Sequence, residues 1–155
     1  ASVNVERVYM WTAAVEIWRD HPLLGVGLDE YGWYYNTTYI PAEAKEVPVV
    51  EGDPDTGHGH PHNNLLKHLS EGGIVGILAF FFLHGYILRR LLQRYRIEHG
   101  RTAFSCALMG ILIFAGTHFE GLTDTNINQL SILTEYCLLM GLSLAAGMIE
   151  GREKV

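Results

Sequence analysis

Apolar residues concentrate in the second half of the chain, in three blocks separated by short polar segments. The blocks cover residues 72–88, 103–119 and 129–149. A helix needs ~20 residues (range about 17–25) to cross a bilayer core, so each block is long enough, the first two only just. Glycine and other small residues recur inside them, which suits close contacts between membrane helices. A soluble three-helix core would instead show polar faces at helical spacing. The pattern therefore predicts an all-α membrane protein with three transmembrane helices.

The first half of the chain has shorter apolar periodicities. Residues 5–19, preceded by Asn4 as a candidate N-cap, place apolar side chains at helical spacing. The members of this stripe are Met10, Trp11, Ala14, Val15 and Trp18. Tryptophans at the edge of such a stripe are typical of an interfacial helix that lies on a membrane or against other helices. We therefore predict an amphipathic helix at the start of the chain.

Turn-forming residues follow this helix. Pro22, Gly25 and Gly27 should end it and turn the chain, and the aromatic run YGWYY comes next. Burial or an interfacial aromatic belt is the favoured role for these aromatics, and stacking on sugar rings is the alternative. Residues 36–57 show no sustained period and are predicted to form a loop.

Charge placement predicts the orientation in the membrane. The segment 89–101 is rich in arginine, whereas acidic side chains outnumber basic ones in residues 1–71, and the connector 118–128 has no Lys or Arg. The positive-inside rule then places segment 89–101, which we predict to be a loop, in the cytoplasm. Residues 1–71 form a large extracytoplasmic region on the same side as the connector, and residues 72–155 form the three-helix membrane region.

The stretch GHGHPHNNLLKHLSEGGIVG carries the candidate chemistry. Asn63 or Asn64 can cap a helix that continues, without a predicted break, to Leu88. His62 then lies beside the start of this rod, where helix N–H groups and the helix dipole attract phosphate. A neutral imidazole within hydrogen-bond distance can take a proton from a hydroxyl. Alternatively, His58, His60 and His62 alternate, so an extended chain would present all three to Zn²⁺ or Cu²⁺.

Three motifs in this order resemble the O-antigen ligase/polymerase superfamily of bacterial membrane glycosyl transferases. The first is His62-Asn63, nine further residues, and a Gly-x-x-Gly element at residues 73–76. The second is the approach, in which Arg7 is followed by the segment DHPLLGVG at residues 20–27. The third is a set of polar residues in the connector after the second membrane block. The resemblance covers nearly the whole chain.

The resemblance implies an inverting, metal-independent and cofactor-free transfer of a glycan from an undecaprenyl pyrophosphate carrier to an acceptor hydroxyl. The acceptor is a lipid A core sugar for a ligase of lipopolysaccharide biosynthesis, another glycan for a polysaccharide polymerase, and a protein serine in some relatives. It also implies a multi-pass protein of the bacterial inner membrane, with residues 1–71 in the periplasm. Since relatives have more membrane helices, we expect a C-terminal fragment, inactive without the preceding transmembrane helices. No nucleic-acid partner is expected.

The resemblance also assigns roles to residues. His62 would be the catalytic residue that takes or steers the acceptor proton, and Arg7 would bind the pyrophosphate, since a guanidinium grips phosphate bidentately. Further candidate substrate-binding residues are Asn63, His60 and Arg19, and further candidates in the connector are His118, Glu120 and Asp124.

The two arginines are competing candidates. Arg19 lies ~18 Å along a straight helix from Arg7 and about 120° around it, so both cannot serve one pyrophosphate. Arg7 is favoured. The rival hypothesis for the whole chain is a non-enzymatic membrane protein that binds a transition metal through the loop of His58, His60 and His62.

Overall fold

The computed structural model describes residues 3–44, 59–97, 101–125 and 129–152. Within these ranges every regular element is helical, which confirms the all-α prediction. The long helices are α1 (Val3–Asp20), α3 (Asn64–Ile97), α4 (Arg101–Glu120) and α5 (Leu130–Arg152), and the short ones are α2 (Tyr31–Tyr34), a π-helix (Tyr35–Tyr39) and a 3₁₀ helix (Ala42–Ala44).

The chain divides into two compact units. The first comprises Ala1–Phe80 together with Gly121–Thr125, and the second comprises Phe81–Glu120 together with Asn126–Val155. Helix α3 contributes its first half to the first unit and its second half to the second. Residues 121–125, directly after α4, therefore belong by their contacts to the unit that contains α1.

The core of the first unit forms between α1 and the aromatic run. Its buried members are Met10, Ala13, Ala14, Ile17, Tyr31 and Tyr35. The four residues from α1 follow the i, i+3, i+4, i+7 spacing of a helix face. The predicted helix is confirmed, but it begins at Val3, so Asn4 lies inside it and does not cap it. The predicted stripe was also partly wrong. Trp11, Val15 and Trp18 are only half-buried, because Ala13 and Ile17 face the tyrosines instead.

The aromatic run is mainly structural. Tyr31 is fully buried, its hydroxyl donates to the backbone carbonyl of Met10 at 2.8 Å, and its ring stacks on Tyr35 with centroids 5.9 Å apart. Burial therefore prevails for these two residues, as favoured from the sequence. Trp33 is the exception, since 59% of its surface is exposed.

The prediction that α3 is one uninterrupted rod is wrong. Gly73 has φ 61° and ψ −157°, which breaks the helix. The break is filled by residues 22–27, which we call the crossing segment. The N–H groups of Ile74 and Val75 donate to the carbonyls of Pro22 and Leu23, at 2.9 and 3.2 Å.

The carbonyls on the other side of the break are also paired. In an unbroken helix, Ile74 and Val75 would donate to Ser70 and Glu71. Here the carbonyls of Ser70 and Glu71 instead accept from Val26 and Gly27 of the crossing segment, each at 3.0 Å. These four backbone groups at the kink thus find partners in the crossing segment, which is what a buried break requires.

One helix of the described residues, Asn64–Arg96, is long and apolar enough to cross a membrane. Only 22% of its most apolar window is buried, in contrast to the core helix of a soluble protein. The apolar stretches of α4 and α5 are shorter, Phe104–Glu120 and Leu130–Ala146. That the second and third apolar blocks, residues 103–119 and 129–149, also cross a membrane stays a prediction.

The second unit packs α4 and α5 around the end of α3. Its buried core residues are Leu91, Phe114, Tyr136 and Met140. A Cβ on Gly110 would lie 2.7 Å from Leu91 Cδ2 and 2.8 Å from Ser143 Cβ, so glycine allows this close approach. The arginine-rich segment 89–101 is not the predicted loop, because α3 continues through it to Ile97. The arginines at 89, 90, 94 and 96 therefore lie on a helix.

Candidate functional site

The start of α3 is built by Asn63. Its side-chain Oδ1 accepts a hydrogen bond from the Leu66 N–H at 3.0 Å, which is the geometry of an N-cap. The sequence left Asn63 and Asn64 as alternatives, and the structure selects Asn63. Its predicted role in substrate binding is not tested, but its side-chain atoms hold the protein's own backbone.

Asn63 and Asn64 also hold residues 121–125, which we call the docked segment. The side-chain amide of Asn63 donates to the Leu122 carbonyl at 2.8 Å, and its backbone N–H donates to the Thr125 hydroxyl at 3.2 Å. The N–H of Asn64 donates to the Gly121 carbonyl at 2.7 Å. Three hydrogen bonds thus fix the docked segment at the start of α3.

These bonds change one expectation. The helix start was predicted to offer its N–H groups to a phosphate. Asn64 donates to Gly121, Leu66 donates to the cap, and Lys67 donates to the Asn63 carbonyl at 3.0 Å. The first turn is therefore largely occupied by the protein itself and offers few of its N–H groups to a phosphate.

The docked segment brings Asp124 against His62. His62 Nδ1 lies 3.1 Å from Asp124 Oδ1, across 62 residues of sequence. Asp124 Oδ1 also accepts the Thr125 N–H at 2.7 Å, so the carboxylate is held in place. With Nδ1–H donating to the carboxylate, the His62 Nε2 keeps its lone pair. The side chain of His62 is 24% exposed, which leaves it accessible to a substrate.

The electrostatics suit this contact. Burial would raise the pKa of Asp124, but the hydrogen bonds from Thr125 and His62 and the charges of His62 and His60 outweigh it, so the pKa lies below its usual value. The carboxyl is therefore ionised at neutral pH and acts as a hydrogen-bond acceptor.

The loop before α3 holds His62 in a constrained backbone conformation. His62 has φ 46°, in the left-handed region that non-glycine residues seldom adopt. The preceding Pro61 is buried, and its carbonyl accepts a hydrogen bond from Trp11 Nε1 at 2.8 Å. Trp11 thus ties α1 to this loop. Such a strained conformation is typical of functional sites.

His60 lies beside His62. The two rings are 4.3 Å apart at their centroids, in an edge-to-face arrangement, and the His62 N–H lies 3.4 Å from His60 Nδ1. One ligand atom from each of His60, His62 and Asp124 lies within 4.8 Å of the other two. His58, the third histidine of the predicted metal loop, lies outside the described residues, as do the acidic residues of 45–57.

Arg7 lies one helical turn before Trp11. Residues four apart share a helix face and are ~6 Å apart along the axis, so Arg7 is on the face of α1 that contacts the His62 loop. Arg7 is half-buried, whereas Arg19 is exposed near the opposite end of α1. Among the described residues neither arginine forms an ion pair.

The candidate site residues of the connector belong to different structural units. Asp124 contacts His62 in the first unit, whereas His118 and Glu120 belong to the second. His118 stacks on Phe114 at 4.0 Å, and its ring lies 4.7 Å from His84. Glu120 is exposed.

A buried ion pair near the site was missed from the sequence. Lys67 is buried, and its Nζ lies 3.1 Å from Asp29 and 3.4 Å from Glu71. Glu71 Oε1 also lies 3.4 Å from the Tyr31 N–H. The network holds α3 to the segment that follows the crossing segment. The i, i+4 spacing of Lys67 and Glu71 could have predicted the contact between these two residues, but not the contact of Lys67 with Asp29. Thr125 is buried and accepts a hydrogen bond from the Asn63 N–H, and no spacing in the sequence predicted this contact.

A comparison with models of known protein families finds a match. Residues 2–81 match the family model described as O-antigen ligase. The match therefore contains α1, the crossing segment, His62 and the kink at Gly73. No curated protein matches the chain.

Proposed function

Since the chain belongs to the O-antigen ligase family, whose members are membrane-associated glycosyltransferases of O-antigen assembly, we propose that it transfers a glycan from an undecaprenyl-pyrophosphate carrier to an acceptor hydroxyl. The acceptor is a lipid A core sugar or the end of another glycan. The reaction takes place on the periplasmic side of the inner membrane and needs no metal or cofactor.

The contact between His62 and Asp124 supports this proposal most directly. Asp124 fixes the ring with Nδ1–H toward the carboxylate, so Nε2 accepts the proton of the acceptor hydroxyl. The hydroxyl oxygen then attacks the anomeric carbon of the donor. As this C–O bond forms, the bond from the anomeric carbon to the pyrophosphate oxygen breaks on the opposite face. Its electron pair leaves with the lipid pyrophosphate, and the anomeric configuration inverts.

Arg7 stabilises the charge that develops on the leaving pyrophosphate. A guanidinium stays charged throughout and can donate two parallel hydrogen bonds to phosphate oxygens. The position of Arg7, one turn from the tryptophan that binds the His62 loop, supports this role. The start of α3 has few N–H groups left for a phosphate, because the protein's own carbonyls and side chains already bind them. The pyrophosphate therefore needs a side-chain cation such as Arg7. Asn63 positions the docked segment, and His60 supports the ring of His62.

Replacing Asp124 by asparagine tests the observation on which the proposal rests. The amide keeps the shape of the carboxylate but loses its charge, so the tautomer and orientation of His62 are less well fixed. We expect kcat for transfer from lipid-linked donor to fall by at least roughly tenfold, because in Ser-His-Asp enzymes the same Asp→Asn change leaves the histidine in the wrong tautomer and costs about 10,000-fold. Glu120→Gln, the same change at an exposed carboxylate of the connector, is the matched control. An equal loss in both variants would argue against the His62–Asp124 pair.

Comparing Arg7→Ala with Arg19→Ala tests the pyrophosphate ligand. Removing a donor to a developing negative charge costs about 100–1,000-fold in kcat at well-studied sites. We expect a loss of this order for Arg7→Ala and a much smaller loss for Arg19→Ala, measured on the full-length protein in membranes. Partial recovery in Arg7→Lys would show that charge contributes besides geometry. The reverse ranking of the two alanine variants would assign the phosphate to Arg19.

A further inference from the structure

We propose that His60, His62 and Asp124 form a binding site for Zn²⁺, and that the bound ion switches off glycan transfer. The binding site stands on the geometry of these three side chains. The inhibition rests in addition on the function proposed above, because it requires His62 to act as the base.

The spacing of the ligand atoms fits a tetrahedral ion. Zn–N and Zn–O bonds of ~2.0–2.2 Å place neighbouring ligand atoms of a tetrahedron about 3.3–3.6 Å apart. His62 Nδ1 and Asp124 Oδ1 are already 3.1 Å apart, and the three ligand atoms lie within 4.8 Å of one another. His60 lies at a bend outside the helix. To bind the ion, the His60 ring must move closer, and if it binds through Nδ1 it gives up the 3.4 Å hydrogen bond that this nitrogen accepts from the His62 N–H.

The chemistry of the ligands selects the ion. Two imidazoles and one carboxylate form a set that Zn²⁺ adopts, with a water molecule in the fourth position. Mg²⁺ and Ca²⁺ prefer oxygen ligands only and gain little from imidazole nitrogen. The docked segment thus supplies a ligand that the histidine pattern alone did not reveal.

Zinc bound to Nδ1 of His62 prevents Nε2, the other ring nitrogen, from acting as the base. The ion takes the lone pair of Nδ1, so the proton on Nδ1 is displaced and the neutral imidazole carries its one proton on Nε2. No proton is gained or lost by the ring. Nε2 then has no lone pair for the acceptor hydroxyl. The carboxylate of Asp124, now a zinc ligand, also ceases to orient His62 for catalysis.

The binding test uses the purified full-length protein in detergent, titrated calorimetrically with zinc chloride. We expect one Zn²⁺ per chain and no comparable binding of magnesium chloride. His60→Ala and Asp124→Asn should each weaken the binding by at least the roughly 10–100-fold that even changes outside the ligand shell cost. His21→Ala removes a histidine of the same unit, packed on Tyr34, and should keep the affinity of the wild type.

The inhibition test measures glycan transfer with added zinc chloride and after chelation. Zinc should abolish transfer, and a chelator should restore it. In His60→Ala, inhibition relative to that variant's own rate should need at least roughly tenfold more zinc, in proportion to the lost affinity.

Each of the first three outcomes below would contradict the zinc proposal, and the fourth would contradict the proposed function. Unchanged zinc affinity in His60→Ala and Asp124→Asn would disprove the site and leave the proposed transferase function untouched. Stoichiometric zinc with undiminished transfer would disprove the inhibition. Transfer that is lost on chelation and restored by zinc would show that the ion is required. A protein that binds zinc at these residues but transfers no glycan under any condition would instead refute the proposed function and leave the site standing.

Discussion

Replacing His62 by asparagine is expected to lower kcat for glycan transfer by about 100–10,000-fold, the range that general acid–base catalysis contributes. The amide has no lone pair basic enough to take the acceptor proton. Asparagine suits the experiment because it tolerates the left-handed conformation better than most residues, and His62 has φ 46°. The folded structure should therefore survive the change, and the loss should appear in kcat more than in KM.

Two controls separate chemistry from folding in this experiment. His21→Asn makes the same change at a histidine whose ring packs on Tyr34, and it should keep most of the transfer activity. The double variant His62→Asn/Asp124→Asn should be no slower than His62→Asn alone, because Asp124 acts through the imidazole and residues that act as a unit are non-additive. A wild-type rate in His62→Asn, at normal protein levels, would remove the proposed mechanism.

Gly25→Ala is expected to destabilise the first unit strongly. A Cβ at this position would lie 2.3 Å from the Glu71 carbonyl carbon and 2.5 Å from the Glu71 and Ser70 carbonyl oxygens. These are backbone atoms that cannot rotate away. Gly25 also has φ 66°, where a side chain adds about 1–2 kcal/mol of strain. Overpacking usually costs roughly 1–3 kcal/mol more. The strain and the overpacking together amount to a large part of the free energy of unfolding of a typical domain.

The measurement for Gly25→Ala is the amount of folded protein in the membrane, together with its thermal unfolding temperature in detergent. Gly72→Ala is the matched control, because a Cβ there meets nothing within 4 Å and Gly72 lies next to the kink. It should accumulate as the wild type does. Gly73→Ala should resemble Gly25→Ala, since its Cβ would lie 2.4 Å from the Leu23 backbone. Normal accumulation of Gly25→Ala would mean that the crossing segment does not lie against α3 as described.

Local features of the site could be predicted from the sequence. Pro22, Gly25 and Gly27 predicted the end of α1, and the helix ends at Asp20. An asparagine before an apolar run predicted the start of α3, and Asn63 caps it. These predictions succeeded because caps and turns depend on backbone geometry over a few residues.

Contacts between distant segments could not be predicted in the same way. The pairing of His62 with Asp124 depends on hydrogen bonds from Asn63 to the docked segment, about sixty residues further along. A polar connector is usually solvated, so nothing in its composition required this contact. The buried face of α1 was likewise set by Tyr31 and Tyr35, which shifted it from the tryptophans to Ala13 and Ile17.

The sequence by itself determined the helical class of this protein, the C-terminal end of its first helix and the start of α3 at one of two asparagines beside His62, because each follows from the conformational preferences of neighbouring residues. The tertiary structure alone decided that α3 bends at Gly73 and that His62 faces a carboxylate. The apolar run around Gly73 favours a continuous helix, and only the crossing segment, by pairing with the released carbonyls and N–H groups, makes the broken form stable.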